Sequence, residues 1–200
     1  MRNSLADVVA AGLRVLDAHG LEHCSMRRVA AELGVQPSAL YHHVSDKQTL
    51  LALMADEIVG PATALGAAVA DPRSCCIALR EAMLAVRDGA DVVATAAAFR
   101  LGASEAERRL AGLVGPDGAR TLLLYTFGHA QSTQTHRQAA ALGALIDPAA
   151  LPRGGTTDPA AATDLDASFE RGLDIILRGL GAPAQLNPVL GAAEPQNSVF

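Results

Sequence analysis

The chain has 200 residues, of which 50% are apolar and 18% charged, a composition typical of a globular protein with one large or two small domains. Alanine and leucine dominate, tryptophan is absent, and β-branched residues are scattered, which favours packed helices and predicts an all-α fold. The net charge of −5 would disfavour a nucleic-acid partner if it were spread evenly.

The charge is not spread evenly, because the first 50 residues are neutral and the acidic excess lies behind them. Their five cations balance their five acids: Arg2, Arg14, Arg27, Arg28 and Lys47 against Asp7, Asp17, Glu22, Glu32 and Asp46. A neutral region can still bind phosphates if its cations share one face and helix N-termini contribute. Nucleic acid therefore stays a possible partner for the N-terminal region.

Two short helices joined by a tight turn follow a first amphipathic helix over residues 4–18. Ser25 is a good N-cap for the second helix, which ends at Gly34, where a turn needs a residue that tolerates positive φ. Pro37 suits the first position of the third helix, which we expect to run to about His43. This pattern predicts a helix-turn-helix that presents a short polar face.

The helices behind this motif are marked by capping and breaking residues. A capping box at Ser45–Gln48 opens a linking helix, which we expect Gly60-Pro61 to kink or interrupt. Further helices are predicted over residues 72–86, in a separate shorter segment that reaches Phe99, over 104–115, from Pro116 to about 145, and over 165–180. The segment 146–163 is typical of a long loop, and residues 181–200 of an extended tail.

These residues resemble the TetR family of bacterial transcription repressors. The N-terminal match covers LRVLDAHGLEHCSMRRVAAELGVQPSALYHHVSDKQTLL, and looser anchors in the body (RDGA, GH and FERGL) are similar to the tetracycline repressors. The resemblance implies a homodimer in which residues 1–47 form a DNA-binding domain and residues 48–180 a helical domain for ligand binding and dimerisation. It also implies an operator of double-stranded DNA.

The resemblance assigns the DNA contacts to eight residues. Ser38 and Ala39 would face base edges with Pro37 beside them, and Tyr41, His43 and Lys47 would contact phosphates, while His42 and Arg27 could reach either. Other interpretations remain open. Tyr41 could be a core aromatic residue, Arg27-Arg28 could form a solvated face, and His23, Cys24, His42 and His43 could suggest a metal site. Histidines at neighbouring helix positions point about 100° apart, which disfavours the metal site.

Alignment on the body anchors predicts an effector pocket but argues against magnesium-tetracycline. Val93 and Arg137 stand where the tetracycline repressors place a magnesium-binding histidine and an acid, and a hard cation needs oxygen ligands. The remaining pocket positions are Thr63, Cys75, Leu79 and Ala96, with Arg100, Tyr125 and His129 as further polar groups. Such a cavity suits a small hydrophobic effector, although each of these residues could equally be ordinary core.

An intersubunit four-helix bundle is expected from the apolar stripe of the last helix and the outer side of the Pro116 helix. Its predicted residues are Leu122, Leu165, Phe169, Leu173, Ile176, Leu177 and Leu180. Cys75-Cys76 could be a thiol sensor or, as the commoner case, buried structural cysteines. An odd cysteine count without a leader peptide predicts the reducing cytoplasm, and no run of eighteen apolar residues predicts a membrane span.

The sequence therefore predicts a ligand-responsive repressor that binds a palindromic operator as a homodimer. The alternative is a DNA-binding regulator without a small-molecule ligand that a partner protein controls. The chain carries no G-x-S-x-G, Walker loop, dinucleotide fingerprint or paired metal-ligand spacing, so we expect no enzyme activity, no cofactor and no metal.

Overall fold

The structure is a computed structural model that describes residues 3–64, 71–102, 104–144 and 164–181. Within these ranges the chain forms α-helices and one 3₁₀ turn but no β-strand, so the all-α prediction is confirmed. The predicted loop at 146–163 and the predicted tail after residue 181 lie outside the described residues. The helices are α1 (Leu5–His19), α2 (Met26–Glu32), α3 (Pro37–Leu40), α4 (Lys47–Ala64), α5 (Pro72–Leu84), α6 (Gly89–Ala98), α7 (Ser104–Ala141) and α8 (Leu165–Gly181).

Helices α1 to α3 form a small N-terminal bundle, which we call the head. Ser4 caps α1, because its hydroxyl accepts from the amide of Asp7 at 3.2 Å while the Asp7 carboxylate accepts from the Ser4 amide at 2.7 Å. Gly34 makes the turn between α2 and α3 with φ of 67°, as the sequence predicted. The apolar faces of these helices pack together and against α4.

The third helix is shorter than predicted, since it ends at Leu40 rather than at about His43. The carbonyl of Leu40 accepts from the amides of both His43, at 2.8 Å, and Val44, at 2.9 Å. This tight turn directs Val44 into the core and leaves residues 41–43 exposed on the turn. The polar face predicted for one helix is therefore shared between a single helical turn and the turn after it.

The linking helix α4 differs from the sequence prediction in its cap and in having no interruption at Gly60-Pro61. Its first turn is capped by Asp46 rather than Ser45, because an Asp46 carboxylate oxygen accepts from the amide of Thr49 at 2.7 Å, and this bond holds the pKa of Asp46 below its ordinary value. The Ser45 hydroxyl instead bonds side chains, those of Asp46 and Thr49. Pro61 does not interrupt α4, since the helix continues through it to Ala64. Only one turn follows the proline, so little of the helical ladder depends on it.

Helices α4 to α8 form the body. Helix α4 packs against α5 and α6, α5 against α7, and α7 against α8. Gly115, with φ of 77°, divides α7 into a first arm, residues 104–114, and a second arm, residues 116–141, as predicted from Gly115-Pro116. The interior of the described part of the body is filled mainly by aliphatic side chains, which pack the helices into one bundle.

Helix α8 approaches the second arm of α7 closely at Gly172. A Cβ added at Gly172 would lie 1.8 Å from Oη of Tyr125. The Tyr125 hydroxyl donates towards the carbonyls of Ser168 at 3.3 Å and Phe169 at 3.1 Å, and its ring stacks on Phe169 with centroids 5.5 Å apart. The ring is therefore held on two sides and cannot retreat from a larger residue.

Gly172→Ala is expected to destabilise the protein by about 2 kcal/mol, because overpacking forces the Tyr125 ring out of its place. The matched control is Gly112→Ala in the first arm of α7, where an added Cβ would meet nothing within 4 Å. That change should raise stability by about 0.5 to 1 kcal/mol through helix propensity. Urea unfolding at fixed protein concentration measures both, and equal effects would contradict the steric explanation.

Candidate DNA-binding head and effector cleft

The head presents a continuous exposed polar segment around α3 and the turn after it. Arg27, Ser38, Tyr41, His42 and His43 are exposed, while Pro37, Ala39 and Lys47 are half-buried. Below this segment Val29, Leu40 and Val44 are buried. None of the eight residues predicted to contact DNA is therefore buried, although three of them are partly covered by the chain.

The exposure of Tyr41 removes one alternative. Its side chain is 54% exposed, so Tyr41 is not a core aromatic residue. The structure also does not gather a metal site, since Cys24 is buried while His42 and His43 are exposed. No group of three or more His, Cys, Asp or Glu side chains that could hold a metal ion occurs within the described ranges.

Lys47 lies in a different environment from the other head cations. It borders a cleft of about 860 Å³ between the head and the body, together with His19, His23 and Asp88. Arg27 and Arg28 are exposed at the start of α2 and form no ion pair among the described residues. The cations best placed for phosphates are therefore on α2, and the predicted phosphate contact of Lys47 receives less support.

The turn between α5 and α6 clamps the head to the body. The guanidinium of Arg87 donates to the carbonyl oxygens of Asp17 at 2.9 Å and Ala18 at 3.4 Å, at the C-terminal end of α1, where a cation also interacts favourably with the helix dipole. One carboxylate oxygen of Asp88 accepts from the amide of Leu21 at 2.8 Å. The sequence predicted that the helix over residues 72–86 ends just before these two residues, but it did not predict their contacts to the head.

The same turn is held from the other side by the second arm of α7. The amide nitrogen of Gln138 donates to the second carboxylate oxygen of Asp88 at 2.6 Å. The side chain of Gln134 donates to the carbonyl of Val86 at 2.7 Å and accepts from the amide of Ala90 at 3.0 Å. Asp88 itself adopts φ of 53°, a left-handed conformation that aspartate tolerates better than most residues. Polar contacts thus connect the second arm of α7 to the head through one aspartate.

The predicted effector residues do not come together in one cavity. Cys75, Leu79, Val93 and Ala96 are buried in the packed interior of the body, and the side chain of Thr63 lies outside the described residues. Tyr125 and His129 pack against Phe169 between α7 and α8. Of the eight, Arg100 alone borders a cleft of the described body that the other described members of the set do not line.

The cleft that Arg100 borders lies between α6 and the two arms of α7 and has a volume of about 640 Å³. Its apolar wall comes from Ala94, Ala97 and Ala98 of α6 and from Leu123, Leu124 and Phe127 of α7. The alanines recur at three and four residues and form one face of α6, which adjoins the face that buries Val93 and Ala96. That stripe of small residues was the sequence signal for this cleft.

The aromatic cluster between α7 and α8 contains two partly buried titratable side chains, those of Tyr125 and His129. Burial, with the nearby charge of Arg80 as the second cause, lowers the pKa of His129, while burial raises the pKa of Tyr125. The His129 ring approaches the Thr133 hydroxyl at 3.2 Å. Tyr125 and His129 are therefore held by contacts between α7 and α8, and this is why they do not line the cleft next to α6.

The three cysteines are free and buried. Burial raises the pKa of Cys76 to about 11, and it also raises the pKa of Cys75. A thiol sensor needs an accessible thiolate, so the structure favours the structural interpretation of this pair.

Burial also corrects the predicted subunit interface. Leu122, Phe169 and Leu173 are already buried inside the single chain, so they cannot form a contact with a partner subunit. Leu165, Ile176 and Leu177 are half-buried and Leu180 is exposed. The large apolar residues left exposed on α7 and α8 are Leu113, Leu124, Ile175 and Leu180, and Leu142 is exposed just after α7. Periodicity could not separate the face of α7 and α8 that packs within the chain from the outer face, which stays the predicted site of a subunit contact.

A three-helix head with a helix-turn-helix, joined by a linking helix to a larger helical body, defines a DNA-binding regulator of the helix-turn-helix class. The sequence model of the family described as bacterial regulatory proteins, tetR family, matches residues 8–54. The tetracycline repressor protein class A from transposon 1721 of Escherichia coli is 30% identical over 200 residues, covering 86% of this chain and 88% of that protein. The chain belongs to the TetR family.

Solved structures agree with this assignment. BioQ of Mycobacterium smegmatis is 32% identical and superposes with a TM-score of 0.75 over 89% of this chain and 97% of its own. A BioQ solved with its natural double-stranded DNA operator is 28% identical, with a TM-score of 0.69 over 90% of this chain and 99% of its own. ActR of Streptomyces coelicolor in complex with (S)-DNPA is 25% identical, with a TM-score of 0.61 over 91% and 100%. No helix in the described ranges is long and apolar enough to cross a membrane.

Asp88→Ala is expected to speed hydrogen exchange at the amide of Leu21 about tenfold, because it removes a hydrogen bond to a charged acceptor. The matched control is Asp91→Ala, which removes the bond from Gln131 to Asp91 inside the body and should leave the Leu21 amide unchanged. Exchange measured by NMR on the full chain decides the matter. Equal exchange in both variants would show that Asp88 does not hold the head.

Proposed function

We propose that this chain is a transcriptional repressor that binds a palindromic DNA operator as a homodimer and is released by a small, largely hydrophobic effector. In this proposal residues 1–47 are the DNA-binding domain, residues 48–180 bind the effector and dimerise, and residues 181–200 are a tail. The protein acts in the cytoplasm and has no catalytic role.

The observation that carries the proposal is the composition of the head surface. Hydroxyl, phenol, imidazole and guanidinium groups are exposed together on α2, α3 and the following turn. Such groups hydrogen-bond to phosphates and base edges, and a short side chain such as Ala39 lets a base approach. The operator complex of BioQ supports the same use of the head in a relative. In our assignment Ser38 and Ala39 face bases, while Arg27, Tyr41 and His43 contact phosphates.

The exposed apolar residues of α7 and α8 support the homodimer. Leu124 and Ile175 are large aliphatic side chains left exposed on neighbouring helices of the bundle. A second copy that offers the same pair would form a four-helix bundle and cover both. We therefore assign the interface to the outer faces of these helices, with Leu180 beside them.

The clamp at Asp88 supports control of the head from the body. A ligand that binds one arrangement of α6 and α7 more tightly shifts the position of the turn between α5 and α6, and with it the C-terminal end of α1. About 1.4 kcal/mol of such coupling changes operator affinity tenfold. The alternative, a regulator controlled by a partner protein, uses the same clamp but needs no ligand in the cleft.

Fluorescence anisotropy on DNA from the region upstream of the coding sequence tests the proposal. The expected result is saturable binding of two subunits per palindrome, weakened by added salt. Sedimentation should find a dimer at micromolar concentration. A stable monomer that binds no palindrome even at low salt would refute both the operator and the dimer. Screening compounds for release of that DNA then separates the ligand-responsive repressor from the alternative.

A further inference from the structure

The polar groups on the rim of the cleft between α6 and α7 indicate what kind of effector it takes. Two arginines border it, Arg100 at the end of α6 and Arg120 on the second arm of α7, together with one acid, Glu107 on the first arm. Neither arginine forms an ion pair with any residue that the structure describes. The cleft therefore combines an apolar wall with a net positive rim.

The backbone at Arg100 provides a second, independent observation. Arg100 has φ of 56°, and the helix end is closed by bonds from its amide to the carbonyl of Ala97 and from the amide of Leu101 to the carbonyl of Ala96, both 2.9 Å. Glycine is the residue that takes this left-handed position without steric cost. The chain instead has an arginine there, at the border of the cleft, a strained arrangement of the kind that accumulates at ligand sites.

Building on the proposed repressor function, we infer that this cleft binds an amphipathic organic anion, with its apolar body against the alanine face of α6 and its carboxylate or other acidic group between Arg100 and Arg120. Guanidinium groups bind carboxylates through charge-assisted hydrogen bonds. Ala94, Ala97 and Ala98 leave room for a flat or extended apolar body, which Leu123 and Phe127 cover from the other side. The one acid on the rim, Glu107, lowers the affinity for the anion but does not reverse the preference.

The test uses 1-naphthylacetate and its neutral counterpart 1-naphthylacetamide, which share the apolar body and differ in charge. Isothermal titration on the full protein without DNA should show the anion binding at least tenfold more tightly than the amide. Arg100→Gln and Arg120→Gln should each abolish that preference and leave amide binding unchanged. Glu107→Gln should strengthen it. Arg108→Gln, an exposed arginine of the first arm that pairs with Glu105, is the matched control and should change neither affinity.

A second variant separates a binding role of Arg100 from a structural one. Arg100→Gly should raise the midpoint of urea unfolding, because glycine fits the left-handed backbone, and should abolish the preference for the anion. A purely structural arginine would not show these two opposite effects. Equal affinities for acid and amide in the parent protein, or tighter binding of 1-naphthylmethylammonium than of either, would overturn the inference. Because this measurement needs no DNA, its failure is distinct from failure to bind an operator.

Discussion

Tyr41→Ala is expected to weaken operator binding about a hundredfold without changing the stability of the protein. One hydrogen bond to a phosphate is lost in each subunit, at a cost of about 1.4 kcal/mol or tenfold in affinity, and the proposed dimer loses two. Tyr41 is 54% exposed and forms no hydrogen bond or ring contact among the described residues, so removal of its side chain costs the folded state less than about 0.5 kcal/mol. Anisotropy titrations and urea unfolding measure the two quantities.

Two matched variants make the Tyr41 experiment specific. Tyr41→Phe keeps the ring and removes the hydroxyl, so it should lose nearly as much affinity as Tyr41→Ala. Phe99→Ala removes an aromatic side chain of the body that is 59% exposed, and should leave operator binding unchanged. The salt dependence of binding should not change, because no cation is removed, whereas Arg27→Ala should reduce its slope. Unaltered affinity in both Tyr41 variants would remove Tyr41 from the DNA surface.

The local signals in the sequence were sufficient for the helices of the head. Ser25, Gly34 and Pro37 each carry backbone or capping preferences that act within a few residues, and the structure places each as predicted. The end of α3 was missed, because it depends on Val44 turning into a core built by α1 and α4. Local helix propensity does not reflect tertiary packing of this kind, so it could not predict where α3 ends.

The body was harder to predict because its contacts join distant residues. An apolar residue on α8 can face either the same chain or a partner, and the periodic stripe assigned Leu173 to the partner and omitted Ile175. In the structure Leu173 is buried and Ile175 is exposed. Asp88 bonds to Leu21, 67 positions earlier in the chain, and to Gln138, 50 positions later. Local sequence patterns could indicate the turn at Asp88, but they could not indicate partners this distant.

The body contains an ion pair between a buried arginine, Arg80, and an exposed aspartate, Asp166, and replacing either residue should change stability by a different amount. The Arg80 side chain is only 8% exposed; it donates to the Asp166 carboxylate at 2.7 Å and lies 4.9 Å from the centroid of the Phe169 ring. Its Nε has no hydrogen-bond partner among the residues that the structure describes. Asp166 is 67% exposed, and the hydrogen bond from Arg80 holds its pKa below the ordinary value of 3.8. The pair therefore joins a cation that has lost its hydration to an anion that has kept most of its own.

Asp166→Ala should destabilise the protein by about 2 kcal/mol, because it leaves the guanidinium of Arg80 buried without its anion. Arg80→Met should cost less than about 1 kcal/mol, since methionine fills the volume and removes both the buried charge and the unpaired Nε. The double variant should come close to Arg80→Met alone, because without Arg80 the exposed Asp166 keeps only the surface ion pair with Arg137 at 3.5 Å. Urea unfolding at fixed protein concentration measures all three.

The pH dependence of the same variants follows from the direction of the Asp166 pKa. A carboxyl whose pKa is lower in the folded chain stabilises that state above the unfolded value near 3.8, and this contribution disappears as the pH falls through the lower folded value. The difference in unfolding free energy between the parent protein and Asp166→Ala should therefore be constant near neutral pH and shrink below about pH 4. If Arg80→Met loses as much stability as Asp166→Ala at neutral pH, the ion pair is a net source of stability and the burial argument fails.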